Sequence, residues 1–415
     1  MTAAVVATME ETQGSSPAKQ ATSAPATGWA ATTYFAEGLP YSLVHQMGAQ
    51  QYLTAVGASP EMVGLGSLLH VPWLLKFVWA PVVDGRSTAK RWLVGAGLVL
   101  AGCAALMSFA SFQYGAIGVV SVLIATAFVA ATSDIAIDGY YIRSLDKDRQ
   151  VKLSGLRIGA FRMAMLFGSG ALVTLAGLTS FSLAFLVAGG VLVALALLHA
   201  AWLTPDSRAF ATNEAPDAWR TGREALRGFL ARPGITLSIC LIMTYRAGDA
   251  LLFAMNAKFL KALGLDTAAR GIVNGSFGTA ASILGSLLGA WVIAKLGFKR
   301  AFFPITVLQA LALLLYVGLA NGEPGFMTIA VVVVLEQLIA GIGTAAFTVF
   351  LLRLCHGPQK ASHFALASSL MAIAVTVSGS VSGFLYVAVG ASWFFAIAFF
   401  AALPGVLLSL LVDKD

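Results

Sequence analysis

Asp134 and Asp138 stand near the end of the segment IGVVSVLIATAFVAATSDIAIDGYY (117–141), with only Ile-Ala-Ile between them. The segment is long and apolar enough to cross a lipid bilayer as a helix. A carboxylate at that depth is costly, so it is kept where it carries a proton, holds an ion or pairs with a cation. Glu37, Lys76, Arg157, Arg162, Arg246, Asp249 and Glu336 repeat the pattern in other apolar stretches. Together they imply a polar path through a membrane.

Helical rise sets the depth of these groups. At about 1.5 Å per residue, Asp134 lies roughly 13 Å from its helix end near Arg143, and Arg162 roughly 13 Å from Leu153. Glu37 lies about 12 Å from Trp29, and Lys76 about 12 Å from Asp84. Two acids and two bases are thus expected at one level. Glu37, Asp134 and Asp138 become the candidate proton carriers. Asp138 and Arg157 form a second level about 7 Å deep. That pair, with Lys76 and the loop residues Asp84 and Arg91, is expected to gate the mouth of the path. Arg246, Asp249 and Glu336 fall about 20–25 Å deep.

Glu37, Tyr41, His45, Gly48 and Tyr52 recur at helical spacing and predict one polar face, with Gly38-Leu39-Pro40 breaking the backbone beside Glu37. Tyr245, Asp249 and Asn256 predict a comparable face, with Arg246 alongside. The residues expected to bind a solute are Tyr41, His45, Gln46, Arg162, Tyr245, Arg246, Asp249, Asn256 and Glu336. Such a cavity suits a polar organic anion. Ion pairs in membranes also simply lock helices together, and buried Tyr and His are often just hydrogen-bonded packing groups.

The elements that must position these groups are transmembrane helices. Apolar residues make up 58% of the 415-residue chain and charged residues only 11%, against about 25% charged in soluble domains. Twelve spans are expected, at 28–56, 61–83, 92–111, 115–142, 154–177, 181–203, 233–261, 268–296, 301–320, 325–353, 361–388 and 392–412. A polar stretch at 204–232 divides them into two six-helix bundles, 28–203 and 233–415, and its last part reads as a short basic amphipathic helix. Residues 1–27 have no apolar core of a signal peptide and read as a disordered cytoplasmic tail. Lys and Arg crowd the loops at one end, including Arg86, Arg91, Arg143, Arg149, Arg223, Arg300 and Arg353. That places both termini in the cytoplasm and accounts for the net charge of +7 without a nucleic-acid partner.

Two six-span halves joined by a long polar loop resemble the major facilitator superfamily. The strings YFAEGLPYSL (34–43), LLKFVWAPVVD (74–84), TSDIAIDGYYIRSL (132–145), GLRIGAFRMAM (155–165) and HFALASSLMAIAVTVSGSVSGFLY (363–386) are similar to its AmpG-type muropeptide permeases. These are grouped with acetyl-coenzyme A transporters and some siderophore permeases. The resemblance implies an all-α integral membrane protein of the bacterial inner membrane. It implies proton-driven uptake of an organic solute, an anhydro-muropeptide in the muropeptide members. On the matching strings it marks Glu37, Asp134, Asp138, Arg157 and Arg162. A siderophore or an acyl-coenzyme A remains the alternative cargo.

Other classes find little support. No GxSxG, HExxH or GxxxxGK[ST] occurs, so an enzyme is not expected. The three cysteines lack CxxC spacing, and neither metal nor cofactor is expected. A non-transporting membrane sensor on a transporter scaffold is the alternative from another class. The expected partners are a small polar solute, protons and lipid, around a monomer.

Overall fold

The computed structural model describes residues 26–204, 226–232, 234–355 and 360–411. The expected tail (1–27), save its last two residues, and most of the linker (204–232) lie outside them. Of the amphipathic helix expected in the linker, only 226–230 is described, and it is helical.

Helix starts follow local chemistry. Ser59, Thr88, Asp146, Ser180 and Asp266 each accept a backbone N–H three residues on, and each caps a helix. Chain order gives α1 (Ala26–Ser42), which continues as a π-helix over Leu43–Tyr52. Then come α2 (Pro60–Val78), α3 (Ala89–Gln113) and α4 (Gly115–Ser144). α5 runs Lys147–Leu166, turns π-helical over Phe167–Leu172 and ends as Val173–Leu178. α6 (Phe181–Trp202), α7 (Ile235–Ala262), α8 (Thr267–Leu296), α9 (Phe298–Asn321) and α10 (Phe326–Arg353) follow. The last, α11, spans Lys360–Ser409 and contains Gly390, whose φ of 75° is not helical. No strand occurs among the described residues.

Ten helices among the described residues are long and apolar enough to cross a membrane. α1 is not one of the ten, since polar side chains interrupt its apolar run. Leu98, Val99, Leu106 and Phe109 on α3, and Leu284, Leu287 and Trp291 on α8, stay exposed on the outside of the bundle. In water such a surface would aggregate; in lipid it is the expected exterior.

The helices before residue 204 and those after 234 meet most closely at one end, opposite the loops rich in Arg and Lys. There, backbones touch through glycine. A Cβ on Gly275 would overlap the Ser169 backbone, one on Gly177 the Ala268 backbone, and one on Gly383 the Pro60 carbonyl. Cations complete the seal. Lys261 Nζ donates to Thr54 O at 2.8 Å and Ala55 O at 3.1 Å, and Lys258 Nζ to Ala58 O. These carbonyls lie at and just beyond the C-terminal end of the first helix, at Leu53–Ala55, where a cation is favoured by the helix dipole. Arg270, only 1% exposed, donates to Gln51 Oε1 at 2.9 Å across the same junction.

The expected break at Gly38-Leu39-Pro40 is absent, for α1 is helical through Pro40. Gly38 instead admits α5, because a Cβ there would lie 2.6 Å from the Phe161 carbonyl oxygen. The departure from α-geometry comes later, at Leu43–Tyr52, where i→i+5 winding rotates the face. Gly48 therefore meets Leu123, and Tyr52 packs edge-on against Phe181 at 5.2 Å, away from the side chains of Tyr41 and His45.

Glycine at the sealed end should be irreplaceable and glycine facing lipid should not. Gly275→Ala is expected to cost roughly 1–3 kcal/mol through overpacking. Gly102→Ala, which would meet nothing within 4 Å, is expected to be neutral or stabilising. Thermal unfolding of the purified variants checks the contrast, and equal melting temperatures would refute it.

Candidate functional site

Two polar regions lie inside the helices. The first is a cluster of charges on α1, α2, α4 and α5. Lys76 Nζ is ion-paired with Asp134 Oδ2. One turn along α4, Asp138 Oδ1 accepts from Arg157 Nη2 at 2.9 Å and from the Tyr34 hydroxyl at 2.8 Å. The Arg157 guanidinium lies 4.5 Å over the Tyr34 ring, a cation–π contact that fixes the pair in place. Glu37 lies within electrostatic range of Asp134 and Asp138, and its Oε2 is buried with no partner among the described residues. The cluster therefore sets Glu37, Asp134 and Asp138 against Lys76 and Arg157. One carboxyl group is in excess.

The level of two acids and two bases expected from depth is corrected here. Arg162 does not join Glu37 and Asp134, although its height is right. It follows Arg157 by five residues on α5, a rotation of about 140° on a helix of 3.6 residues per turn. Arg157 thus faces α1 and α4, while Arg162 faces the cavity described next.

The second region is a cavity of about 620 Å³ between the helices before 204 and those after 234. That is ample for a small organic solute. Its lining runs along α10 from Glu336 to Leu351 and onto Phe364 of α11, toward the end with the basic loops. Of the expected binding residues, Tyr41, His45, Gln46, Arg162, Arg246, Asp249 and Glu336 all line it. Arg246 occupies a break in α7, with φ −102° and ψ 5°, and donates to Thr344 Oγ1 at 2.8 Å. Asp249 accepts from Gln309, and Glu336 Oε2 from Gln337 Nε2 at 3.1 Å.

Tyr245 and Asn256 do not line the cavity. The break at Arg246 shifts the register of α7, so Tyr245 turns into the core. Its hydroxyl donates to Gly343 O at 3.0 Å and its ring stacks 4.4 Å from Phe347. Asn256 Nδ2 donates to Asn274 Oδ1 at 2.8 Å and is 1% exposed. Both side chains are held by hydrogen bonds within the helices after 234.

The expected gating set is also only partly assembled. Both ion pairs join helices before residue 204, and neither reaches across the cavity. The Asp138–Arg157 pair is intact while the cavity extends to that same end, so in this conformation it is not what closes the mouth. Arg91 is exposed in the first turn of α3, held by the Thr88 cap. The backbone of Asp84 is helical, and its side chain lies outside the described residues.

Several residues escaped sequence reasoning. His70 stacks on His45 with centroids 3.5 Å apart, and Trp73 and Phe161 surround Tyr41 at 5.6 Å each. His70 Nδ1 contacts Ser67 O at 3.2 Å, which makes it the protonated nitrogen and leaves Nε2 to accept from the Tyr41 hydroxyl at 3.0 Å. A histidine in the apolar run LLHVPWLL was the available signal. Toward the sealed end, a recess of about 30 Å³ is lined by Gln46, Gln50, Gln51, Asn274 and Gln337. Nothing in their spacing announced that these amides converge.

No family model matches the chain. It is 28% identical over 387 residues to the anhydromuropeptide permease of Escherichia coli (strain K12), covering 91% of this chain and 77% of that protein. It is 22% identical over 379 residues to putative transporter AmpG 4 of Rickettsia felis, covering 88% and 91%. Among solved structures, the peptide transporter POT in complex with sulfate superposes with a TM-score of 0.69 at 12% identity, covering 94% of each chain. The D-xylose-proton symporter gives 0.69 at 12% identity, covering 93% and 95%. At such identities the structures speak for the fold, and the sequence relatives are permeases, not enzymes. The chain is a multi-pass membrane transporter, similar along most of its length to the AmpG-type permeases.

Proposed function

We propose that the chain is a proton-coupled secondary transporter of the major facilitator superfamily that imports a polar organic anion, an anhydro-muropeptide by preference. Counting α1, and α11 as two helices parted at Gly390, gives twelve spans in two six-helix halves, 28–203 and 233–415. The basic loops place both termini in the cytoplasm of a bacterial inner-membrane protein. With that orientation the cavity extends toward the cytoplasm and the glycine-sealed end faces outward, so the conformation is inward-facing. The cargo rests on the 28% identity to the anhydromuropeptide permease of Escherichia coli.

The observation that carries proton coupling is the uneven cluster. Three carboxyl groups share two cations, and Glu37 stands against Asp134. Three carboxyl groups so close together in a low dielectric cannot all stay charged against two cations, which gives the cluster room for one proton. Protonating Asp134 releases Lys76, and deprotonating it draws Lys76 back. Movement reaches the cavity through shared helices. Glu37 is one turn from Tyr41 on α1, and Lys76 is on the helix that carries His70, whose ring accepts the Tyr41 hydroxyl at 3.0 Å.

Asp134→Asn and Glu37→Gln are expected to abolish uptake of radiolabelled anhydro-muropeptide driven by an imposed pH gradient, while solute counterflow persists. Proteoliposomes read both. Unchanged gradient-driven uptake in both variants would remove these carboxyls from the coupling step.

Ion pairing inside the cluster has its own test. Lys76→Met leaves Asp134 buried without its cation and is expected to lower the melting temperature; adding Asp134→Asn is expected to restore part of it. The coupling should fall at roughly 0.5–3 kcal/mol. Strictly additive losses would mean that the two side chains do not stabilise one another.

A further inference from the structure

The sealed end, far from the basic loops, carries three cations among the described residues. Lys258 and Lys261 lie in the last turns of α7, and Arg270 lies near the start of α8. Lys and Arg gather on the cytoplasmic side of a membrane protein, so three on the other side have to be explained. All belong to the helices after 234, and none forms an ion pair among the described residues. Arg270 is also held from its own side, by Leu265 O at 2.7 Å and Thr267 Oγ1 at 3.1 Å. The lysines differ. Among the described residues they donate only across the junction, Lys261 to Thr54 O and Ala55 O, and Lys258 to Ala58 O.

Two acids lie near these cations. Glu61, in the first turn of α2, is within electrostatic range of Lys258 and is engaged by Ser59. Asp266, exposed, is within range of Arg270 and accepts from Ala269 N at 2.7 Å as the cap of α8. Parting the junction would carry Glu61 and the carbonyls away with the helices before 204. The wall left behind would keep three cations and one nearby acid, Asp266.

We infer that Lys258 and Lys261 form a receiving site for a carboxylate of the incoming solute, filled by the carbonyls ending the first helix while the junction is closed. The two ammonium groups stand one turn apart on one face of α7, so a single carboxylate can meet both. A helix C-terminus presents about half a negative charge, which makes it a weak stand-in for a carboxylate. An opened rim with net positive charge draws an anion in from solution. Capture and closure then exclude each other. The carbonyls reclaim the lysines as the junction shuts, and the solute is left to the cavity. This rests on the import reading above but not on the muropeptide as cargo.

Two measurements test the site. Lys258 and Lys261 are the lysines at this end among the described residues, so a membrane-impermeant amine-reactive ester applied to that face of oriented proteoliposomes reports on them. A bound carboxylate holds an ammonium group charged and slows its acylation. Glutarate is expected to slow modification of both lysines, and its uncharged diamide, at matched ionic strength, is not. Equal rates with the two would overturn the site. The second measurement is uptake of anhydro-muropeptide by the Lys258→Gln/Lys261→Gln variant. Lysines that merely held the junction shut would, once removed, raise the outward-open population and lower KM. A receiving site predicts the opposite sign, a KM higher by roughly tenfold with kcat changed less. Lys258→Arg/Lys261→Arg keeps the charge and is expected to keep KM near that of the unsubstituted protein. Added salt is expected to raise KM of the unsubstituted protein and to leave that of the glutamine variant alone. A lower or unchanged KM in the glutamine variant would overturn the site. Protection by glutarate in a protein that takes up no anhydro-muropeptide keeps the site and removes the muropeptide as cargo.

Discussion

A charge inside a bilayer must meet an opposite charge or reach water, and the fold of this chain is organised around that constraint. Asp134 and Asp138 on α4 fix the positions of Lys76 on α2 and Arg157 on α5, because an unpaired ion at that depth would cost more than bringing two helices together. Tyr34 on α1 joins the same group through its hydroxyl and its ring. Four helices are thereby held by a few polar contacts, in a medium that gives apolar side chains no reason to prefer one another over lipid. Arg162 and Arg246, which form no ion pair among the described residues, line the cavity, together with the acids Asp249 and Glu336.

Close approach at the opposite end depends on a different property. Glycine lets α5 and α8 touch backbone to backbone at Gly275 and Ser169, and the three π-helical stretches among the described residues, Leu43–Tyr52, Phe167–Leu172 and Gly271–Gly278 of α8, lie on the helices that make this junction or line the cavity. The lysines that bond the carbonyls ending α1 can exchange those partners for water when the junction parts. A seal built from glycine contacts and lysine–carbonyl bonds is tight but reversible. An apolar, interdigitated interface of the same area would be neither so easily opened nor so easily hydrated.

Most of the helices were legible in the sequence because bilayer thickness sets the length of an apolar run, and that is a local signal. Asp138 and Arg157 were legible as a pair because both lie at one depth. Arg162 was misassigned beside Glu37 for the same reason: depth along a helix says nothing about direction around it. Tyr245 and Asn256 matched a polar face with Asp249 on an ideal helix. Asp249 does line the cavity, but the break at Arg246 parts Tyr245 from it, and Asn256, seven residues further on, is bonded to Asn274 instead. Tyr52 was lost to the π-helix in the same manner. His70 and the amides at Gln50, Gln51 and Gln337 come together only through tertiary contact, and no spacing within a single helix could reveal them.

The central claim is that Arg162 and Arg246 line a water-filled cavity reached from the basic end alone. Single cysteines at Tyr41, Arg162, Arg246 and Ser368, the last lining the cavity from α11, in protein reconstituted with known orientation, can be challenged with a membrane-impermeant maleimide from either face. Cysteines at Leu98 and Leu284, which are exposed on the outside of the bundle, serve as controls. Labelling of the four cavity positions from the basic face only, with the controls silent from both faces, is the expected result. Labelling from the opposite face, or none at all, would contradict it.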